Sequence, residues 1–178
     1  MKVLLTGSSK GIGYEIAKNL LAEGHELALH YNKNESPLGA LLKKDKTGSF
    51  SIQADLSQQE EIKKMVENTI GKLSFPDCII NNAGIAESAD ISLDIHDWSK
   101  MFDKTIDINL KAPSIIFKEF LNYKREKKIN SRLRIINIAS RAAFRGEQQD
   151  YISYACSKGG IISLTKTMSR SFGETDNI

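Results

Sequence analysis

The chain has 178 residues, 40% hydrophobic and 26% charged, which suits one domain with a core of its own. A formal charge of +3 is too small to make nucleic acid a main partner, and no apolar run approaches the length of a membrane span. The run after Met1-Lys2 is too short for a signal peptide, and Cys78 and Cys156, with no CxxC or Cys/His cluster, read as reduced structural thiols of a cytoplasmic protein with no metal site.

Residues 2–6 (Lys-Val-Leu-Leu-Thr) form a short apolar run and predict a buried strand. Gly7-Ser8-Ser9-Lys10-Gly11-Ile12-Gly13 follows at once, then a helix with Ile12, Ile16, Ala17, Leu20 and Leu21 on one face, closed by Gly24. Strand, glycine turn and helix aim helix N-terminal amides at a phosphate. One glycine allows the turn, one lets the backbone approach a pyrophosphate, and one lets the helix pack on the strand. The spacing is G-x-x-x-G-x-G, not the general G-x-G-x-x-G. By itself such a turn is weak evidence, but its place between a strand and a helix at the start of the chain favours nucleotide binding over a plain connection.

Residues 26–31 predict a second strand. Beyond it, His30-Tyr31-Asn32-Lys33 offers no carboxylate before Glu35 to hold a ribose 2′-hydroxyl, while Lys10 and Lys33 would suit a 2′-phosphate. NADP is therefore favoured over NAD, against the alternative of two solvated lysines. A short helix is predicted over 38–46 and an alternating strand over 49–54. Asp55 ends that strand, and Ser57 is placed to cap a helix over about 58–72. Residues 77–82 form a fourth strand ending in Asn81-Asn82-Ala83-Gly84, where an α/β sheet binds ligands or simply turns.

A long helix follows from Asp94 or Asp97 to Lys124, with a kink or a local break expected at Pro113 and the poor helix former Asn109 near its middle. Residues 124–134 are a basic connector with no assigned function. Residues 133–139 are a fifth strand ending at Ser140, and the loop 141–150 leads to a helix over 152–172. That helix carries Tyr154 and Lys158, four apart and so on one face. An ammonium beside a phenol favours the phenolate, which suits general acid/base work. Alone, the pair is as ordinary as any two residues of an amphipathic face. The βα alternation predicts a mostly parallel sheet with helices on both faces. The glycine turn, Asn81–Gly84 and Ser140 then gather at one sheet edge.

Taken together, Thr6–Gly13, Asn81-Asn82-Ala83-Gly84, Asn109, Ser140 and Tyr154/Lys158 resemble the short-chain dehydrogenase/reductase family, in its order and across essentially the whole chain. The glycine turn and the Asn-Asn-Ala-Gly segment are similar to those of 3-oxoacyl-carrier-protein reductases. The resemblance implies a Rossmann-type doubly wound parallel sheet in three α/β/α layers, and an NADP(H)-dependent oxidoreductase acting on a small-molecule carbonyl or alcohol. It implies that Gly7, Gly11 and Gly13, with Ser9, Lys10 and Ile12 of the same turn, line the cofactor pyrophosphate. Lys10 holds the place where a basic residue accompanies NADP use, and Asn32 lies at the adenosine end. Asp55 and Leu56 would meet the adenine; Asn82, Ala83 and Gly84 would border the ribose and steady the central strand. Ser140 would bond the substrate carbonyl and Tyr154 would transfer the proton. Lys158 would bind the nicotinamide ribose and favour the Tyr154 phenolate, and Asn109 would support a water leading protons to Lys158.

The chain stops at Asp176-Asn177-Ile178, where the family continues into further strands. Residues 1–178 are therefore expected to be a single, C-terminally incomplete dinucleotide-binding domain, with strand 133–139 left as an apolar sheet edge. A truncated chain is the preferred explanation. A natural short chain that covers the edge by oligomerising is the other. Two functions remain: a reductase or dehydrogenase, or a nucleotide-binding protein without turnover. The resemblance also implies a homodimer or homotetramer through the helices around 97–124 and 152–172.

Overall fold

The computed structural model describes residues 1–178. Strands β1 (Lys2–Leu5), β2 (Glu26–Tyr31), β3 (Phe50–Gln53), β4 (Cys78–Asn81) and β5 (Arg134–Asn137) form one sheet in the order β3-β2-β1-β4-β5. Every pairing is parallel, with Leu4 opposite Ala28 on one side and Ile79 on the other. The helices are α1 (Gly11–Ala22), α2 (Ser36–Leu42), α3 (Gln59–Leu73), α4 (Ile95–Ile106), α5 (Ala112–Glu126), α6 (Ala142–Arg145) and α7 (Ile152–Phe172). The fold is the Rossmann-type, doubly wound α/β architecture expected.

Alternation along the strands separates two cores. Leu4, Ala28 and Ile79 point to the α3/α5 side, where Ile62, Met65, Val66, Ala112, Ile116 and Phe120 meet them. Their neighbours Val3, Leu5, Leu27, Leu29, Cys78 and Ile80 point to the α1/α2 side and meet Ala17 and Leu38. Both faces of these strands are covered, which is why they read as unbroken apolar runs. Helix α7 lies against α5 through Phe117, Leu121 and Met168. β5 is an edge strand, as expected, and its Arg134 and Ile136 are exposed, Ile136 at 47%.

Two local expectations are corrected and one is made specific. The kink or local break expected at Pro113 is a break: a π-helical turn, Asp107–Lys111, joins α4 to α5. Pro113 sits in the first turn of α5 and has no N–H for the Asn109 carbonyl. The register widens before it, and the Ala112 N–H donates back to the Asp107 carbonyl. Ser57 does not cap α3; its N–H and hydroxyl both donate to Asp55 Oδ1, at 2.9 and 2.8 Å. The segment 141–150 is not all loop, since it holds α6 and a 3₁₀ turn at Gln149–Tyr151.

Beyond α5, Lys124 is 3% exposed and donates its ammonium to the carbonyls of Ile129 and Ser131, both at 2.6 Å. This folds the basic connector back toward β5. Lys124→Met removes the donor from both carbonyls and is expected to cost about 1–3 kcal/mol. Urea unfolding measures this, and an unchanged midpoint would show that the connector does not depend on Lys124.

Candidate active site

β1 ends at a turn that only glycine can make. Gly7 has φ +66°, and a Cβ there would lie 2.7 Å from the Ala83 Cα. A Cβ on Gly13 would lie 2.1 Å from the Gly7 carbonyl oxygen and 2.4 Å from Asn82 Nδ2. Gly13 thus lets α1 start hard against the turn. Gly11, at φ +56°, has open space where its Cβ would be. Ser9 and Lys10 complete the turn, Lys10 as the extended residue before α1, and Ile12 is 66% exposed on the first turn of the helix.

The end of β4 is laced to the end of β1. Asn82 Nδ2 donates to the carbonyls of Thr6 and Gly7, both at 3.0 Å, and the N–H groups of Asn82 and Ala83 donate to Thr6 Oγ1 at 3.0 Å. The end of β2 joins from the other side. His30 Nδ1 accepts the Gly7 N–H at 3.0 Å, and the His30 carbonyl accepts both the N–H and the hydroxyl of Ser8.

At the end of β3, the two Ser57 bonds hold the Asp55 carboxyl below its usual range, the backbone bond foremost, with the Lys33 and Lys104 charges adding to it. Leu56 is turned into the core, 4% exposed. Asn32 is exposed at the end of β2, and its carbonyl accepts Gln53 Nε2 at 3.1 Å.

The expected proton-transfer residues come from three elements. Asn109, in the π turn, is 1% exposed. Its Oδ1 accepts the Ile85 N–H at 2.8 Å, while its Nδ2 donates to the Ile85 carbonyl at 2.8 Å and to Ser157 Oγ at 3.0 Å. Ser157 in turn donates to the Tyr154 carbonyl at 2.7 Å. One amide therefore ties the segment after Gly84 to the first turns of α7. Lys158 is 5% exposed and donates to the Ile138 carbonyl at 2.8 Å. Its Nζ stands 5.8 Å from the centre of the Tyr154 ring. A Cβ on Gly84 would come within 3.6 Å of that Nζ and 3.3 Å of Asn109 Oδ1, so Gly84, Asn109 and Lys158 share one corner. Burial pushes the Lys158 ammonium pKa down. Ser140 follows β5, and its Oγ accepts the Ala142 N–H at 3.2 Å. α6, which it begins, packs on α7, but no hydrogen bond links Ser140 to Tyr154.

Thr6, His30 and Ser157 carry interactions that the sequence pattern did not assign to them. Thr6 and Ser157 lie inside the glycine-turn and Tyr/Lys stretches, so position was their only signal. His30 stood where a carboxylate was sought.

The family model described as short chain dehydrogenase matches residues 1–178. The chain belongs to the short-chain dehydrogenase family. Among curated members, it is 30% identical over 170 residues to the 3-oxoacyl-acyl-carrier-protein reductase FabG of Staphylococcus epidermidis, covering 94% of this chain and 67% of that protein. It is 28% identical over 166 residues to the L-fucose dehydrogenase of Mus musculus, covering 93% of this chain and 58% of that protein. Among solved members, 4-hydroxyisoleucine dehydrogenase complexed with NADH superposes with a TM-score of 0.84 at 32% identity, over 97% of this chain and 68% of that one. The chain spans about two thirds of the length of the reductase and of the solved dehydrogenase.

Gly13→Ala drives a methyl into the Gly7 carbonyl, and neither is the end of a flexible side chain. An expected loss of about 1–3 kcal/mol or more follows from the overpacking, together with a displaced turn. Thermal unfolding reads the first and the Gly7 amide resonance the second; an unmoved pair would refute the contact.

Proposed function

We propose that this chain is the cofactor-binding and proton-transfer part of an NADP(H)-dependent oxidoreductase that interconverts a carbonyl and a secondary alcohol. The observation that carries this is the corner formed by Lys158, Asn109 and Gly84 beside Tyr154. It holds a buried ammonium next to a phenol at the C-terminal edge of a parallel sheet, where such folds take ligands.

The glycine turn fits a dinucleotide. α1 begins with no side-chain cap and no acidic residue in its first turn, so its amides are free to meet an anion. Gly7, Ser9, Lys10, Gly11, Ile12 and Gly13 would hold the pyrophosphate. Asn32, Asp55, the Leu56 backbone, Asn82, Ala83 and Gly84 would border the adenosine half. The nicotinamide, when bound, supplies or takes the hydride. Ser140 Oγ donates to the substrate oxygen where negative charge develops. The Tyr154 hydroxyl gives that oxygen its proton, or removes it in the reverse direction. Lys158 keeps positive charge at the phenol and offers its remaining N–H donors to the nicotinamide ribose. Asn109 fixes α7 against the segment after Gly84, and would support a water passing protons to Lys158.

The FabG relatives suggest a 3-oxoacyl thioester as substrate. Residues 1–178 form a single dinucleotide-binding domain in this proposal, in the cytoplasm, and pair as a homodimer or homotetramer through α4/α5 and α7. No helix is long and apolar enough to cross a membrane.

Two observations favour other readings. Two clefts, about 410 Å³ beside Lys18, Leu41 and Lys44 and about 480 Å³ along Glu15, Ile16 and Asn19, are not lined by Tyr154. That favours a nucleotide-binding protein without turnover. The solved relatives carry NADH, which favours NAD.

Tyr154→Phe is expected to lose a hundredfold or more in turnover while still binding NADPH. This is measured by NADPH oxidation across a panel of carbonyl compounds, 3-oxoacyl thioesters included. Near-normal turnover in the variant would sink the mechanism, and wild-type binding without any oxidation would favour the second function. For the cofactor, Glu35 is occupied by the Ser51 hydroxyl, whereas Lys10 makes no ion pair. Wild type is expected to prefer NADPH over NADH, and Lys10→Glu to cut that preference about tenfold, the loss of one charge-assisted contact. A wild type that binds NADH more tightly favours NAD.

A further inference from the structure

The imidazole of His30 is buried between the glycine turn and the end of β3, 2% exposed, and plays no part in the chemistry above. Its two nitrogens have different partners. Nδ1 lies 3.0 Å from the Gly7 backbone nitrogen, which can only donate. Nε2 lies 2.9 Å from the Ala54 carbonyl, which can only accept. The ring is therefore neutral, with its proton on Nε2, because the Ala54 bond leaves Nδ1 as the acceptor. Burial lowers its pKa and supports the neutral form, although the Ala54 bond and the Asp55 charge act in the opposite sense.

Gly7 is held from both ends. Its N–H is taken by His30 and its carbonyl by Asn82, while Ala83 blocks any side chain. The Ser8 N–H and hydroxyl also close on the His30 carbonyl, at 2.9 and 2.8 Å. One residue of β2 thus sets two successive residues of the turn.

We propose that His30 is a positioning residue of the nucleotide site: its imidazole, locked by Ala54 as an Nδ1 acceptor, holds the Gly7 amide and so sets the glycine turn for the dinucleotide. This rests on the nucleotide-binding reading above. It also separates two substitutions. Asparagine places its amide oxygen where Nδ1 stands, and keeps an acceptor for Gly7. Glutamine reaches toward Ala54 and presents no acceptor at the Nδ1 position.

The test pairs a spectrum with a titration. Long-range proton–nitrogen spectra of the histidine-labelled protein at pH 7 are expected to show His30 as the Nε2–H tautomer. NADPH and NADH titrations followed by fluorescence are expected to show binding about tenfold weaker for His30→Gln, the cost of one unpaired amide. For His30→Asn the loss is expected to stay within about threefold. Circular dichroism and thermal unfolding establish that both variants are folded. Should His30→Gln be the one that unfolds, the tautomer and the behaviour of His30→Asn decide. An Nδ1-protonated ring overturns the inference. So does a folded His30→Gln protein that binds like wild type, or a His30→Asn protein that loses tenfold or more. A wild type that binds neither dinucleotide overturns the nucleotide-binding reading, and this inference with it. A wild type that binds, with variants that do not differ, overturns this inference alone.

Discussion

Gly13 approaches the carbonyl of Gly7 so closely that no other residue could start α1 there, and the rest of the site is hung on that contact. The close start brings the first amides of α1 to the C-terminal edge of the sheet. It also turns the Gly7 carbonyl toward Asn82, so that the same peptide that admits the helix anchors β4. Thr6 then accepts the next two amides through one hydroxyl. Backbone groups that would be left unpaired where strands end and chains diverge are satisfied by one another. Rigidity at this edge comes from short polar side chains, which leaves the larger apolar ones to the two cores beneath.

The π turn does for α7 what the glycine turn does for α1. Pro113 cannot donate to the Asn109 carbonyl, and the widened register before it carries Asn109 into the interior. From there its amide reaches Ile85 and Ser157 at once. Ser114 Oγ donates to the Leu110 carbonyl at 2.9 Å, which covers one acceptor of the interrupted ladder. A regular helix over 95–126 would put a different residue on this face, so the position of Tyr154 and Lys158 depends on an irregularity some forty residues earlier.

The order of strands and helices was legible because β1, β2 and β4 are covered on both faces and so read as continuous apolar runs, while α3 keeps one apolar stripe. The candidate site was legible as a set of residue types at strand ends. How those residues are held was not. Pro113 signals a kinked or broken helix, but not that its missing N–H acts on the turn before it. Ser57 carries the signature of a cap, but its hydroxyl is engaged by Asp55, two residues back. His30 could be recognised only once β2 and the glycine turn were known to touch. Hydrogen bonds between segments far apart in the chain have no periodicity to betray them.

Two lysines show how a structural ammonium differs from one suited to chemistry. Lys124 and Lys158 are both buried, and burial lowers the pKa of each. Lys124 meets two carbonyls at 2.6 Å in a connector that folds over it. Its charge is spent inside the protein, on holding a loop. Lys158 meets one carbonyl, Ile138, at the sheet edge, with Gly84 leaving room beside it and the Tyr154 ring facing it. A buried ammonium is costly unless it is paired. At Lys124 the protein supplies the pairing itself. At Lys158 it supplies part of it, in a place where a hydroxyl-bearing ligand and a phenol could supply the rest. The incomplete pairing, more than the burial, is what favours Lys158 over Lys124 as the lysine of the proposed site.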